Sequence, residues 1–177
     1  MERLARPYRL LVYAGLLVFT VTIQSTIVHY GPLGFMVLDL GMILVIWTGL
    51  SHGSRAGMLM GFFAGLLEDA MSGTCLGTNA LAKTLIGGLA GVTGGLVLPN
   101  SFVVHILTLS IFNVLNYALM YFLQTVTSPS TPSFSWFACQ MLLGVLFTTI
   151  AGLIVFRVLL RVRLFRPPRI PEDMVGK

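Results

Sequence analysis

The chain has 177 residues, 56% of them hydrophobic and only 10% charged, with a mean hydropathy of +0.90. Soluble domains carry about 25% charged residues, so this composition excludes a water-soluble enzyme and indicates an integral membrane protein. The formal net charge of +5 is gathered into a few clusters; such juxtamembrane clusters contact anionic lipid, so a nucleic-acid partner is not expected.

A spanning helix needs about 20 apolar residues, and the pattern predicts six of them in one domain, residues 1–177. Segments of alternating hydrophobicity, which a β-barrel would require, are not present. The first span, Leu10–Val28, follows Arg3, Arg6 and Arg9 and ends in Thr20, Thr22, Gln24, Ser25 and Thr26. Its length and the lack of a small-residue cleavage site argue for a retained helix rather than a signal peptide. Gly31-Pro32 turns the chain into Leu33–Leu50, which carries Asp39. After Ser51-His52-Gly53-Ser54 comes a short third span, Ala56–Ala70, which lengthens if Ser54 and Arg55 join it and which exits through Glu68-Asp69. The fourth, Leu76–Leu98, is closed by Pro99-Asn100. The fifth, Phe102–Val126, holds Ser110, Asn113 and Asn116, and the two asparagines are expected to hydrogen-bond between helices. A turn-forming stretch, Ser128–Ser133, leads to Phe134–Leu160, with Gly144, Thr148 and Gly152 stepping by four. The basic tail is terminated by Pro167-Pro168.

Ten of the eleven Lys and Arg residues fall at the amino terminus, at Arg55, or in the tail from Arg157 to Lys177. With six spans these sites share one side, and the loops opposite have neither Lys nor Arg. The positive-inside rule places both termini in the cytoplasm, with Arg157, Arg161, Arg163 and Arg166 against anionic lipid.

Two rows of residues stepping by four stand out. Gly53, Gly57, Gly61, Gly65 and Asp69 form the first; Asn79, Lys83, Gly87, Gly91 and Gly95 form the second. Positions four apart share a helix face, and small-residue faces let membrane helices approach closely. Gly57, Gly61, Gly65, Gly87, Gly91 and Gly95 are therefore read as a helix-packing surface within the chain or a groove for a partner helix; a homodimer is left open. In an antiparallel hairpin, Asp69, Asn79 and Lys83 would meet at one end, in the outer half of the membrane with Asp39. Lys83 has Asp69 and Asp39 as candidate partners, whereas Glu68 points about 100° from Asp69 and is expected to face the headgroups. The cluster reads either as an outer polar pocket for a ligand or as buried pairing that sets helix register.

No nucleophile motif, phosphate-binding loop or carboxylate pair with a base is evident. His29, His52 and His105 are scattered without metal-ligand spacing. No catalysis, cofactor or metal is expected. Cys75 and Cys139 fall on the same side, so a disulfide is geometrically open, but free thiols are favoured.

Asp39-Leu40, Gly57, Gly61-Phe62, Gly65-Leu66-Leu67, Asp69, Gly73, Leu76-Gly77, Asn79-Ala80-Leu81 and Gly87 together resemble the bacterial rod shape-determining protein MreD family. Leu38 stands where that family often has proline. The resemblance implies a multi-pass protein of the bacterial cytoplasmic membrane, with a six-helix fold similar to the S-component of energy-coupling-factor transporters. It implies a non-enzymatic scaffold of the elongation machinery that inserts side-wall peptidoglycan. Its partners would be MreC, RodA with its transpeptidase, and indirectly MreB filaments. The alternative is a substrate-binding subunit of a vitamin transporter. A third reading sets Lys83 against the phosphate of a lipid-linked wall precursor.

Overall fold

A computed structural model describes residues 13, 15–24, 38–72, 75–97, 102–127 and 133–161, with the side chains of 95–97, 102 and 159–161 excepted. Among these residues the chain is all-helical: α1 (Gly15–Gln24), α2 (Leu40–His52), α3 (Ser54–Ser72), α4 (Thr78–Val97), α5 (Phe102–Thr127) and α6 (Phe134–Arg161).

The helices sit where hydropathy places the spans, with two differences. The expected second span, Leu33–Leu50, is realised as α2, whose residues 40–52 are described while 33–37 lie outside the described residues. At 13 residues α2 is about 20 Å long, short of the roughly 30 Å hydrocarbon core of a bilayer. It is apolar on all sides, and every residue from Gly41 to Ser51 is buried. A helix without a polar face belongs at the centre of a bundle, and α2 is the axis on which the others pack. The second difference is at the α2–α3 turn. Gly53 alone separates the two helices, at φ 89°, a left-handed conformation that glycine adopts without a Cβ clash. Its N–H donates to the Gly49 carbonyl at 2.8 Å, ending α2, and α3 starts at Ser54 and so includes Arg55.

The glycine rows close on each other. A Cβ built on Gly57 would strike the Gly87 carbonyl oxygen, and one on Gly87 would strike the Gly57 carbonyl oxygen. Gly61 lies against the backbone of Lys83 and Thr84, Gly65 against Asn79 and Ala80, and Gly91 against Ser54. Falling numbers on one helix thus meet rising numbers on the other, so α3 and α4 are antiparallel and touch backbone to backbone. Such contact supplies dispersion and Cα–H···O attraction, which matters in lipid, where burying apolar surface gives no drive to associate. Gly49 and Gly94 extend the seam to α2, Gly49 facing Gly87 and Ala90 and Gly94 facing Leu50. The surroundings of Gly95, the last member of the second row, lie outside the described residues.

The other pair, α5 and α6, packs through side chains instead. The Tyr117 ring lies over Gly144, Leu109 over Gly152, and the Ser110 and Thr149 hydroxyls are 3.3 Å apart. Val103–Thr127 and Phe134–Val158 are long and apolar enough to cross a membrane unaided. On α6, Leu142, Leu146, Ile150, Ile154 and Val158 form an exposed row. The core between this pair and α2 is made of Ile43, Ile46, Trp47, Leu109, Phe112 and Phe156, with Trp47 meeting Phe156 edge-on at 4.9 Å.

Adding a methyl at the seam separates α3 from α4. Gly57→Ala should lower the thermal unfolding midpoint in lipid nanodiscs, at a cost of about 1–3 kcal/mol. Gly15→Ala, where a Cβ meets nothing within 4 Å, should be neutral or mildly stabilising in the same assay.

Candidate functional site

The first turn of α2 leaves backbone N–H groups without helical partners. Asp39 caps it, accepting from the Met42 N–H on Oδ1 at 2.8 Å. Neighbouring helices complete the cap. The Asp39 N–H donates to Thr148 Oγ1 of α6 at 3.2 Å, and the Leu40 N–H donates to Gln24 Oε1 of α1 at 3.0 Å. Asp39 is therefore placed by its role at the helix start, with its carboxylate turned toward α3 and α4.

There it meets Lys83. The ammonium donates to Asp39 Oδ1 at 2.7 Å and to Glu68 Oε1 at 2.6 Å. The lysine side chain is fully buried, and each carboxylate side chain is 11% exposed. Gly41 makes room, since a Cβ there would lie 2.6 Å from Glu68 Oε1 and 3.4 Å from Lys83 Nζ. One cation thus ties α2, α3 and α4 at a single level, and the Thr148 bond adds α6. Thr148 is the fifteenth of the 28 residues of α6, so the triad is level with the middle of the longest helix rather than with its end.

Asp69 does different work. Its carboxylate accepts from the Gly77 N–H at 2.8 Å, the Asn79 N–H at 3.2 Å, the Ala80 N–H at 3.3 Å and the Asn79 side-chain amide at 2.8 Å. An anion at the start of α4 satisfies its free donors and complements the helix dipole. Asp69 and Asn79 therefore lock the α3–α4 turn, which Gly77 makes at φ 103°.

Three sequence expectations need correction. Asn113, expected to bond between helices, donates its amide to the Leu109 carbonyl of its own helix at 2.8 Å. Lys83 pairs with Asp39 and Glu68, while Asp69 is saturated by backbone and amide donors. Glu68 turns inward to the lysine instead of facing the headgroups. The signal for this was available: Gly61, Gly65 and Glu68 step by four and then three, which also holds one helix face. The small-residue face of α3 divides at its end, sending Glu68 toward α2 and Asp69 toward α4. The phosphate reading of Lys83 meets the same geometry, because a phosphate would have to displace a carboxylate from a fully buried ammonium.

The remaining candidates lie apart. Arg157 is exposed near the end of α6, the side chain of Arg161 is not described, and Arg163 and Arg166 lie outside the described residues. Cys75 and Cys139 are exposed free thiols. His52 stacks edge-on with Tyr13 and His105 with Phe156. Among the described residues no group of three or more His, Cys, Asp or Glu is arranged to hold a metal ion.

Removing the cation leaves two carboxylates facing each other inside the bundle. Lys83→Met should destabilise the protein by about 3–5 kcal/mol in reversible unfolding from mixed micelles. The triple neutral variant Asp39→Asn, Glu68→Gln, Lys83→Met should recover most of that loss.

A family model described as rod shape-determining protein MreD matches residues 5–163. No curated protein and no solved structure matches the chain. The family match covers all the described helices of the bundle and both polar clusters, at the starts of α2 and α4 and the end of α3, and the chain belongs to the MreD family of rod shape-determining membrane proteins.

Proposed function

We propose that this chain is a non-enzymatic membrane scaffold of the bacterial cell-elongation machinery, binding MreC and helping to position side-wall peptidoglycan synthesis so that rod shape is maintained. The observation that carries this reading is the family match over residues 5–163. The architecture agrees with it: glycine-seamed helices around a buried ion triad make a stiff body, and exposed apolar rows such as Leu142, Leu146, Ile150 and Ile154 leave its flank free for lipid or another helix. Because Gly57, Gly61, Gly65, Gly87 and Gly91 are filled by α3 and α4 themselves, they act in this reading as the packing surface that gives the scaffold its shape, and MreC binds elsewhere on the bundle. RodA with its transpeptidase, and MreB filaments at one remove, are the further partners. Both termini are cytoplasmic in this arrangement, with Arg157, Arg161, Arg163 and Arg166 against anionic headgroups.

Gentle extraction from native membranes, followed by identification of what remains bound, tests the reading. Recovery of an MreC-like single-span protein supports it. Recovery of an ATPase pair with a coupling subunit replaces it with the S-component-like transporter alternative. Leucine at Gly61 or Gly91 forces α3 and α4 apart, so either variant should reduce MreC recovery and give rounded cells, whereas Leu89→Ala on an exposed position should leave both intact. Full MreC recovery and normal rods in both glycine variants would remove the scaffold's dependence on this seam.

A further inference from the structure

The triad brings two carboxylates to one ammonium. With all three groups ionised, it carries a negative charge that no cation offsets. Asp69, next in the chain to Glu68, adds another anion beside it. Among the described residues no second cation is at hand. Arg55 opens α3, about 20 Å along that helix from Glu68, and Arg157 lies near the far end of α6. Facing the cluster from other helices are Gln24 of α1, Thr148 of α6 and Tyr117 of α5, which is within range of the Asp39 charge. All three are neutral side chains. Carboxylates crowded together away from bulk water do not all ionise, and one of them keeps its proton.

The hydrogen bonds show which one. Asp39 Oδ1 accepts from both the Met42 N–H and Lys83, at the start of α2, where the helix dipole favours an anion. Asp69 accepts from three backbone N–H groups and the Asn79 amide, at the start of α4. Donors of this kind stabilise the ionised form. Among the described residues Glu68 has Lys83 as its sole donor. It also sits toward the carbonyl end of α3, where the dipole opposes a negative charge. Its side chain is 11% exposed, so a proton can be exchanged without opening the bundle.

We propose that Glu68 is a proton-binding site: it holds a proton on Oε2 at neutral pH while Oε1 continues to accept from Lys83. The Asp39–Lys83–Glu68 group is then neutral as a whole. Loss of the proton leaves one excess negative charge where α2, α3 and α4 meet, and so loosens the bundle. The protonation state of one side chain thereby sets how firmly the three helices are joined.

The test uses the full chain in lipid bilayers with carboxyl-labelled glutamate and aspartate. The sequence has only Glu2, Glu68, Glu172, Asp39, Asp69 and Asp173 to resolve, and Glu68→Gln and Asp39→Asn assign the two signals that matter. Solid-state NMR at about pH 6 should find more than half of Glu68 as the carboxylic acid and Asp39 as the carboxylate. A glutamate with the ordinary pKa of about 4.3 would be about 2% protonated there. Reversible unfolding from mixed micelles gives a second readout. The folded chain keeps a proton that an unfolded glutamate releases, so stability falls as pH rises from about 6 to about 8. Glu68→Gln, a neutral side chain of the same shape, should lack this part of the slope and be at least as stable as the natural chain at pH 8. Glu68 mainly ionised at pH 6, the acid form on Asp39 instead, or Glu68→Gln less stable than the natural chain at pH 8 would each overturn the proposal.

Discussion

One buried ammonium organises this molecule. Lys83 reaches Asp39 on α2 and Glu68 on α3 at hydrogen-bond distance, from a helix that neither of them shares. A lone charge in hydrocarbon costs about 2.5–3.5 kcal/mol on insertion scales, so each of these groups depends on the others being in place. Asp39 carries a second obligation, because the oxygen that meets the ammonium also caps α2. The start of the central helix and the pairing of the charges are consequently one arrangement.

Close approach is what makes that arrangement reachable. A lysine on α4 can meet carboxylates on α2 and α3 only if the three backbones lie near each other, and the glycines at 49, 57, 61, 65, 87, 91 and 94 provide this. Gly41 removes the last obstacle beside the triad. The glycine seam and the triad thus support each other: the seam brings the charges together, and the charges select the one register in which all three are paired. Asp69 stabilises the same register from the turn by holding the first N–H groups of α4.

The α5–α6 pair is built on another principle. It meets the rest of the bundle through large side chains such as Leu109, Phe112 and Phe156 and a few polar contacts, among them the Thr148–Asp39 bond, which reaches the triad. Side-chain packing of this kind leaves room for polar groups such as Asn113 and Asn116, which backbone-to-backbone contact would exclude. A tight, glycine-seamed half and a side-chain-packed half therefore coexist in one bundle. For a protein of a shape-determining family, the tight half offers a fixed frame and the other half long apolar helices that can sit in the bilayer.

Much of this was legible from the residues alone. Composition identified a membrane protein, hydropathy located α3 to α6 to within about two residues but began the second span at Leu33, seven residues before α2, and the four-residue steps marked the faces that pack. These are local properties, since period and polarity do not depend on which helix lies next door. The tertiary structure decided which carboxylate takes Lys83. Glu68 and Asp69 are adjacent in the chain but about 100° apart on the helix, so the rotation of α3 about its axis decides which of them meets the lysine. That rotation is set by the contacts of Gly57, Gly61 and Gly65 with α4 and of α3 with α2, and these exist only once the helices have assembled.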